Sequence, residues 1–236
     1  MAKPSFRFKQ FTIQQDRCAL KVGTDGVLFG AWVDHLGATR ILDIGTGTGV
    51  LALIAAQRNA TASIHAVEID DASADQAKEN AAASPWADRL HVYCMDVRRM
   101  RSDAQYDLII CNPPYYSGYS RSPDERVDLA KHGDELSFPD LLDSVRQLLL
   151  PEGRFSVIVP LDREADLIHE AARVSLYPKR RCVVRYVPHR PAKRILLELD
   201  RLRGSVHDQE ITVEATGPFD YSPEYRALIS DLMLNF

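Results

Sequence analysis

The sequence predicts an α/β fold built on a doubly wound, mostly parallel sheet that ends in an antiparallel hairpin. Three stretches carry that expectation. Residues 40–58 read as a buried strand (Arg-Ile-Leu-Asp-Ile), a tight loop (Gly-Thr-Gly-Thr-Gly) and an apolar helix, the opening unit of such a sheet. Tyr106 to Cys111 is a short, almost wholly apolar run of the kind found where both faces of a parallel strand are covered. Near the end, two apolar or β-branched runs, Cys182 to Val187 and Ile195 to Leu202, flank Pro188-His189-Arg190-Pro191 and predict the hairpin.

In chain order, Phe6 and Phe8 alternate with Arg7 and Lys9, which suits a strand with one apolar and one basic face. A turn-rich loop at 21–26 leads into a helix over 27–36, with Asp25 or Gly26 near its cap. After the glycine loop and its helix, Ser63 to Glu68 is the second core strand. Asp70 or Asp71 caps an alanine-rich helix that runs to about residue 83 and is stopped by Pro85. Leu90 to Cys94 is the third strand and 106–111 the fourth. Residues 116–135 form a long polar segment of the length that lids and binding loops have. Ser137 caps a helix over 139–149 with proline in its first turn. Pro151-Glu152-Gly153 turns into a strand at 155–159, and a helix follows over 162–175. Ile211 to Val213 adds an edge strand, and 225–233 a short last helix. One domain accounts for the chain: an amino-terminal cap (1–36), a core (37–203) and a carboxyl-terminal extension (204–236).

Composition narrows the function. Hydrophobic residues make up 45% of the 236, enough for a real core, and no apolar run approaches the ~20 residues of a membrane span. The opening Met-Ala-Lys-Pro-Ser is too polar for a secretory signal. Four scattered cysteines without a C-x-x-C pair point to buried free thiols in a reducing cytosol, not to zinc. A net charge of −4 argues against a generally basic nucleic-acid binder, yet residues 179–203 hold nine Lys/Arg against two acids. That asymmetry predicts one basic face on an acidic body.

The site chemistry lies at strand ends. The glycines fall at 45, 47 and 49, and Val50 stands where a dinucleotide fingerprint would place its third glycine. Asp43 just before the loop would repel a pyrophosphate and attract an ammonium group, so a small cofactor with an amino-acid end fits better than NAD. Glu68, at the tip of the second strand, is placed to accept from two ribose hydroxyls. Asp96 can accept from an adenine amine, with Val97 packed on the ring. At the end of the fourth strand stand Asn112, Pro113, Pro114 and Tyr115. The Asn112 amide oxygen and the Pro113 carbonyl are two acceptors for one NH2 group, and Tyr115 offers a face for a planar base.

These residues resemble those of the Class I, S-adenosylmethionine-dependent methyltransferases. Asp43 through Gly49, Glu68 and Asp96 match that superfamily's cofactor motifs, and Asn-Pro-Pro-Tyr at 112–115 matches enzymes that methylate amino groups. Residues 8–11, 18–26 and 28–32 are similar to the bacterial tRNA1(Val) adenine-N6 methyltransferases, as is Lys131-His132 followed by Leu136-Ser137-Phe138, where arginine is usual at the first position. The resemblance implies a Rossmann-like sheet of seven strands with a reversed final hairpin, S-adenosylmethionine as cofactor and a valine tRNA as partner. It implies that Asp43, the glycine loop, Glu68 and Asp96 hold the cofactor, with Thr24 and Asp25 closing over it. Tyr116, Lys131 and His132 are candidate substrate contacts, and Arg180, Arg181, Arg190 and Arg194 are candidate contacts to tRNA phosphates. A glutamine-N5 or ribosomal-RNA guanine-N2 methyltransferase, and an RNA-binding module without catalysis, are the alternative readings.

Overall fold

The computed structural model describes residues 4–18, 20–101, 105–113 and 136–234. Two short antiparallel strands, β1 (Ser5–Arg7) and β2 (Thr12–Gln14), precede helix α1 (Thr24–Trp32). The main sheet contains β3 (Arg40–Ile44), β4 (Ser63–Glu68), β5 (Leu90–Cys94), β6 (Tyr106–Cys111), β7 (Leu149–Pro160), β8 (Tyr177–Arg185), β9 (Arg194–Asp200) and β10 (His207–Thr212). The helices between and after them are α2 (Val50–Arg58), α3 (Asp71–Ala82), α4 (Phe138–Leu148), α5 (Glu164–Arg173) and α6 (Pro223–Ile229). No helix among the described residues is long and apolar enough to cross a membrane.

The spatial order is β10-β8-β9-β7-β6-β3-β4-β5, and β9 runs against both of its neighbours. The chain steps outward from β3 to β5, then returns to lay β6 on the other side of β3. That reversal is a topological switch point, where open α/β sheets bind ligands beyond the strand ends.

Both faces of the sheet are buried, and side-chain alternation divides them. Ile41, Leu108, Ile110 and Leu196 pack into one core with α1, α2 and α6. Leu42, Ile109, Cys111, Leu197 and Leu199 pack into the other with α4 and α5. The expected strands at 40–44, 63–68, 90–94 and 106–111 form as read. Two helix caps do as well: the Asp70 carboxylate accepts from the Ser73 amide at 2.8 Å, and the Ser137 hydroxyl from the Asp140 amide at 3.2 Å.

Three readings need correction. The sheet has eight strands where seven were implied, because the extension contributes β10, paired parallel to β8. Its sequence, His-Asp-Gln-Glu-Ile-Thr, is polar because it lies exposed at the edge. Strand β8 starts at Tyr177, five residues before the apolar run, since the arginines there pair across the sheet rather than turn. Helix α1 begins at Thr24 after an extended Gly23, so Asp25 sits inside its first turn instead of capping a later helix.

Candidate active site

Register brings the two key loops together. In the parallel β3–β6 pair Ile44 lies opposite Cys111, so the chains leave the sheet side by side at Gly45 and Asn112. Neighbouring strands are only ~4.8 Å apart. Asn112, Pro113 and the glycine loop therefore share the switch-point crevice. Asn112 is half-buried and Pro113 buried. Pro114, Tyr115, Tyr116, Lys131 and His132 lie outside the described residues.

Gly45, Gly47 and Gly49 have φ of +69°, +55° and +84°, the left-handed region that residues with a Cβ rarely adopt. The Gly45 and Thr46 amides donate to the Val67 carbonyl at 2.9 and 3.1 Å, which folds the loop back over β4. A side chain added at Gly45 or Gly47 would meet no atom of the described residues within 4 Å, whereas one at Gly49 would reach Ala77 of α3 at 3.6 Å. The loop is thus packed on one side and leaves open room on the other. Room beside bare backbone suits a bound small molecule, so these residues fit a cofactor.

Asp43 is fully buried. Alternation turns it to the α2 side of the sheet, where its Oδ2 accepts from the Thr46 hydroxyl at 2.5 Å. Its Oδ1 has no hydrogen-bond partner among the described residues. Burial first, with the charge of Glu68 added, pushes its pKa up to about 7 against the Thr46 hydroxyl and the more loosely placed Ala52 amide. Buried and bonded to the Thr46 hydroxyl, this carboxyl braces the loop from within.

Ionisation of Asp43 is easier in the unfolded chain, so stability is full below about pH 4 and falls as pH rises from there through about 7. Relative to wild type, Asp43→Asn is expected to hold its urea midpoint between pH 5 and 8. Parallel decline of the two midpoints would contradict the assignment.

Glu68 links the loop to β4. Its Oε2 accepts from the Gly47 amide at 2.9 Å, and its Oε1 from the Ile69 and Asp70 amides at 2.9 and 3.1 Å. Both lone pairs of Oε1 are thereby taken, and Oε2 keeps one for a hydroxyl. Asp96 is engaged too: the Arg98 Nε lies 3.0 and 2.9 Å from its oxygens, and this contact holds its carboxyl below the usual range. Val97 is only 6% exposed and packs into the core, so little of its side chain is left to cover a ring. Burial drives the neighbouring Cys111 thiol well above its ordinary pKa, so it is no nucleophile.

Sequence reading missed Asn80, which is 2% exposed on α3. Its Nδ2 donates to the carbonyls of Gln14 and Thr48, both at 2.9 Å, and its Oδ1 accepts from the Gln14 amide at 2.8 Å. One amide thus clamps β2 to the glycine loop. Gln76, one turn earlier, accepts from the Arg17 amide at 3.1 Å. The available signal was Ser73, Gln76 and Asn80 on one face of an alanine-rich helix, a spacing that buries polar groups needing partners.

Thr24 is exposed at the start of α1, and a side chain at Gly26 would reach Val50 at 3.6 Å, so this turn adjoins the end of the glycine loop. Asp25 turns to the hairpin, accepting from the Tyr186 hydroxyl and from Arg194 Nε at 2.9 Å.

The basic segment separates sharply by neighbour. Arg180 pairs with Glu198 at 3.3 Å and lies 4.2 Å from the Trp32 ring centroid. Arg181 grips both oxygens of Glu164 at 2.5 and 2.8 Å and also meets Asp208. Arg185 pairs with Glu210 at 2.9 Å, and Arg194 is held by Asp25. Arg190 and Lys193, in the β8–β9 turn, make no ion pair among the described residues. Of the four arginines expected on phosphates, the structure commits three to partners within the chain.

The family model described as Methyltransferase small domain matches residues 26–135. The tRNA1(Val) (adenine(37)-N6)-methyltransferase of Bacteroides fragilis is 42% identical over 99% of both chains. The proteins of that name from Parabacteroides distasonis and Trichodesmium erythraeum are 44% and 42% identical over 99% and 100% of both chains. Among solved structures, a predicted O-methyltransferase from Agrobacterium tumefaciens superposes with a TM-score of 0.67 at 20% identity, covering 87% of this chain and 95% of the other. A ribosomal protein L11 methylase from Lactobacillus delbrueckii gives 0.53 at 20%, over 76% and 78%. At such identities the structural likeness is one of fold.

Proposed function

The chain belongs to the tRNA1(Val) (adenine(37)-N6)-methyltransferase family, and from that premise we propose that it methylates N6 of adenine 37 in the anticodon loop of a valine tRNA. The observation that carries this reading is the pairing of Ile44 with Cys111 at the switch point, which brings the glycine loop beside Asn112 and supports a methyl donor next to two acceptors for an amine. When bound, S-adenosylmethionine supplies an electrophilic sulfonium methyl group. Gly45 and Gly47 would hold it against bare backbone, Glu68 Oε2 would accept from a ribose hydroxyl with its remaining lone pair, and Asp96, held by Arg98, would accept from its adenine amine.

Adenine N6 is a weak nucleophile because its lone pair is delocalised into the ring. The Asn112 amide oxygen and the Pro113 carbonyl accept its two N–H bonds and favour a pyramidal nitrogen, whose lone pair then projects from the ring plane. Such alignment of bound reactants supplies up to ~7–11 kcal/mol of barrier reduction in favourable cases. Tyr115, with Tyr116 after it, is proposed to stack on the extruded base. Extrusion costs a few kcal/mol and less in a single-stranded loop. Lys131 and His132 are proposed as further substrate contacts.

The test is a nucleoside digest of unmodified tRNA treated with purified protein and S-adenosylmethionine. N6-methyladenosine is the expected product. N2-methylguanosine, or methylated protein with unmodified tRNA, would overturn the reading.

A further inference from the structure

Beside the crevice, at the turn between β8 and β9, lies a cleft of about 460 Å³ that the methyl-transfer step does not use. Tyr186, Pro191 and Pro218 give it apolar walls, and Arg190, Lys193 and Glu214 line it as well. We infer that this cleft is a subsite for one unpaired nucleotide of the tRNA, with its phosphate on Arg190 and Lys193 and its base against the proline and tyrosine walls. The inference rests on the tRNA reading and deepens it.

Size and charge suit a small anionic ligand. The volume falls in the ~300–1,000 Å³ range of small-ligand clefts. Its two cations make no ion pair among the described residues, in a segment where Arg180, Arg181, Arg185 and Arg194 are all committed to carboxylates. An anion would therefore displace no internal carboxylate there.

Glu214 then excludes a bare phosphate site. It accepts from the Phe219 amide at 3.2 Å and pairs with neither cation. A carboxylate repels phosphate but accepts from base N–H groups, so anion, N–H donors and a flat ring must come in one ligand. A nucleotide outside a helix has all three, whereas a base-paired one hides its N–H edge. Location agrees as well. Tyr186 lines the cleft and donates to Asp25, which precedes the Gly26 that packs on Val50 beside the glycine loop. A tRNA strand with its target at Asn112 can thus place another loop nucleotide here.

The experiment measures binding of an unmodified tRNA transcript against salt for wild type, Arg190→Gln/Lys193→Gln, Glu214→Ala, and an Arg163→Gln/Arg173→Gln control that removes equal charge near α5. Competitors are a seven-nucleotide single strand and a base-paired stem. Removing one phosphate-neutralising cation lowers the salt slope by about 1, so the cleft double variant should fall by about 2 while the control keeps the wild-type slope. Glu214→Ala should weaken the single-strand competitor although it removes a negative charge. Tighter binding by Glu214→Ala, an equal fall in slope for the control, or equal competition by the stem would overturn the proposal. Turnover is scored separately. Cleft-dependent binding without N6-methyladenosine sinks the catalytic reading alone, methylation indifferent to Arg190 and Lys193 sinks the cleft alone, and a wild type that binds no tRNA sinks both.

Discussion

Asn112→Ala is expected to lower the rate of methyl transfer by about 10²–10³-fold, the effect of removing one preorganised polar group from a reacting centre. S-adenosylmethionine affinity should stay within about twofold, because the glycine loop, Glu68 and Asp96 are all held by other partners. Single-turnover methylation of tRNA, beside calorimetry of the cofactor, separates the two. A variant that binds cofactor normally and turns over normally would remove Asn112 from the mechanism. One that loses cofactor binding would make it a structural post of the crevice.

The second large effect is expected at Gly47, where φ is +55° and a Cβ would enter open room. A β-branched residue there is a backbone outlier that costs about 1–3 kcal/mol, and it displaces the amide that donates to Glu68. Its side chain also fills the space left for the ligand. Gly47→Val should therefore weaken S-adenosylmethionine by about 100-fold or more. Gly37→Val is the control: its φ of +74° and open surroundings impose the same backbone strain just before β3, at the opposite end of that strand. Equal loss of affinity in both variants would mean that strain acts through global stability rather than through the site.

How far these residues were legible depended on what their neighbours had to be. Strands β3, β4 and β6 could be read to the residue because core strands of a parallel sheet are short apolar runs bounded by turns, and the edge strand β5 because turns bound it too. The loop at 45–49 could be read because left-handed backbone restricts residue choice to glycine. The polar first part of β10, before the Ile211 at which an edge strand was read, and the first half of β8 escaped, since an exposed edge strand and an arginine-rich one carry no apolar period.

Long-range polar pairing was illegible for a different reason. The sequence displays that Arg180, Arg181 and Arg194 are cationic, but their carboxylate partners lie 17 to 169 residues away and meet them only after the sheet has formed. Asn80 was silent in the same way, because its partners are backbone groups of β2 and the glycine loop. Asp43 shows the limit within a recognised motif: its position was read correctly, while its burial changed what the carboxyl does.

The parallel β3–β6 register, the open glycine loop and the Asn112–Pro113 acceptors make an amine beside a methyl donor the central claim. The most direct measurement treats unmodified valine tRNA with wild type or Asn112→Ala in the presence of S-adenosylmethionine, then cuts the tRNA with ribonuclease and weighs the fragments. One added methyl group is expected in the wild-type reaction, on the fragment holding adenine 37, and almost none with the variant. A methyl group on any other fragment, or undiminished modification by Asn112→Ala, would contradict it.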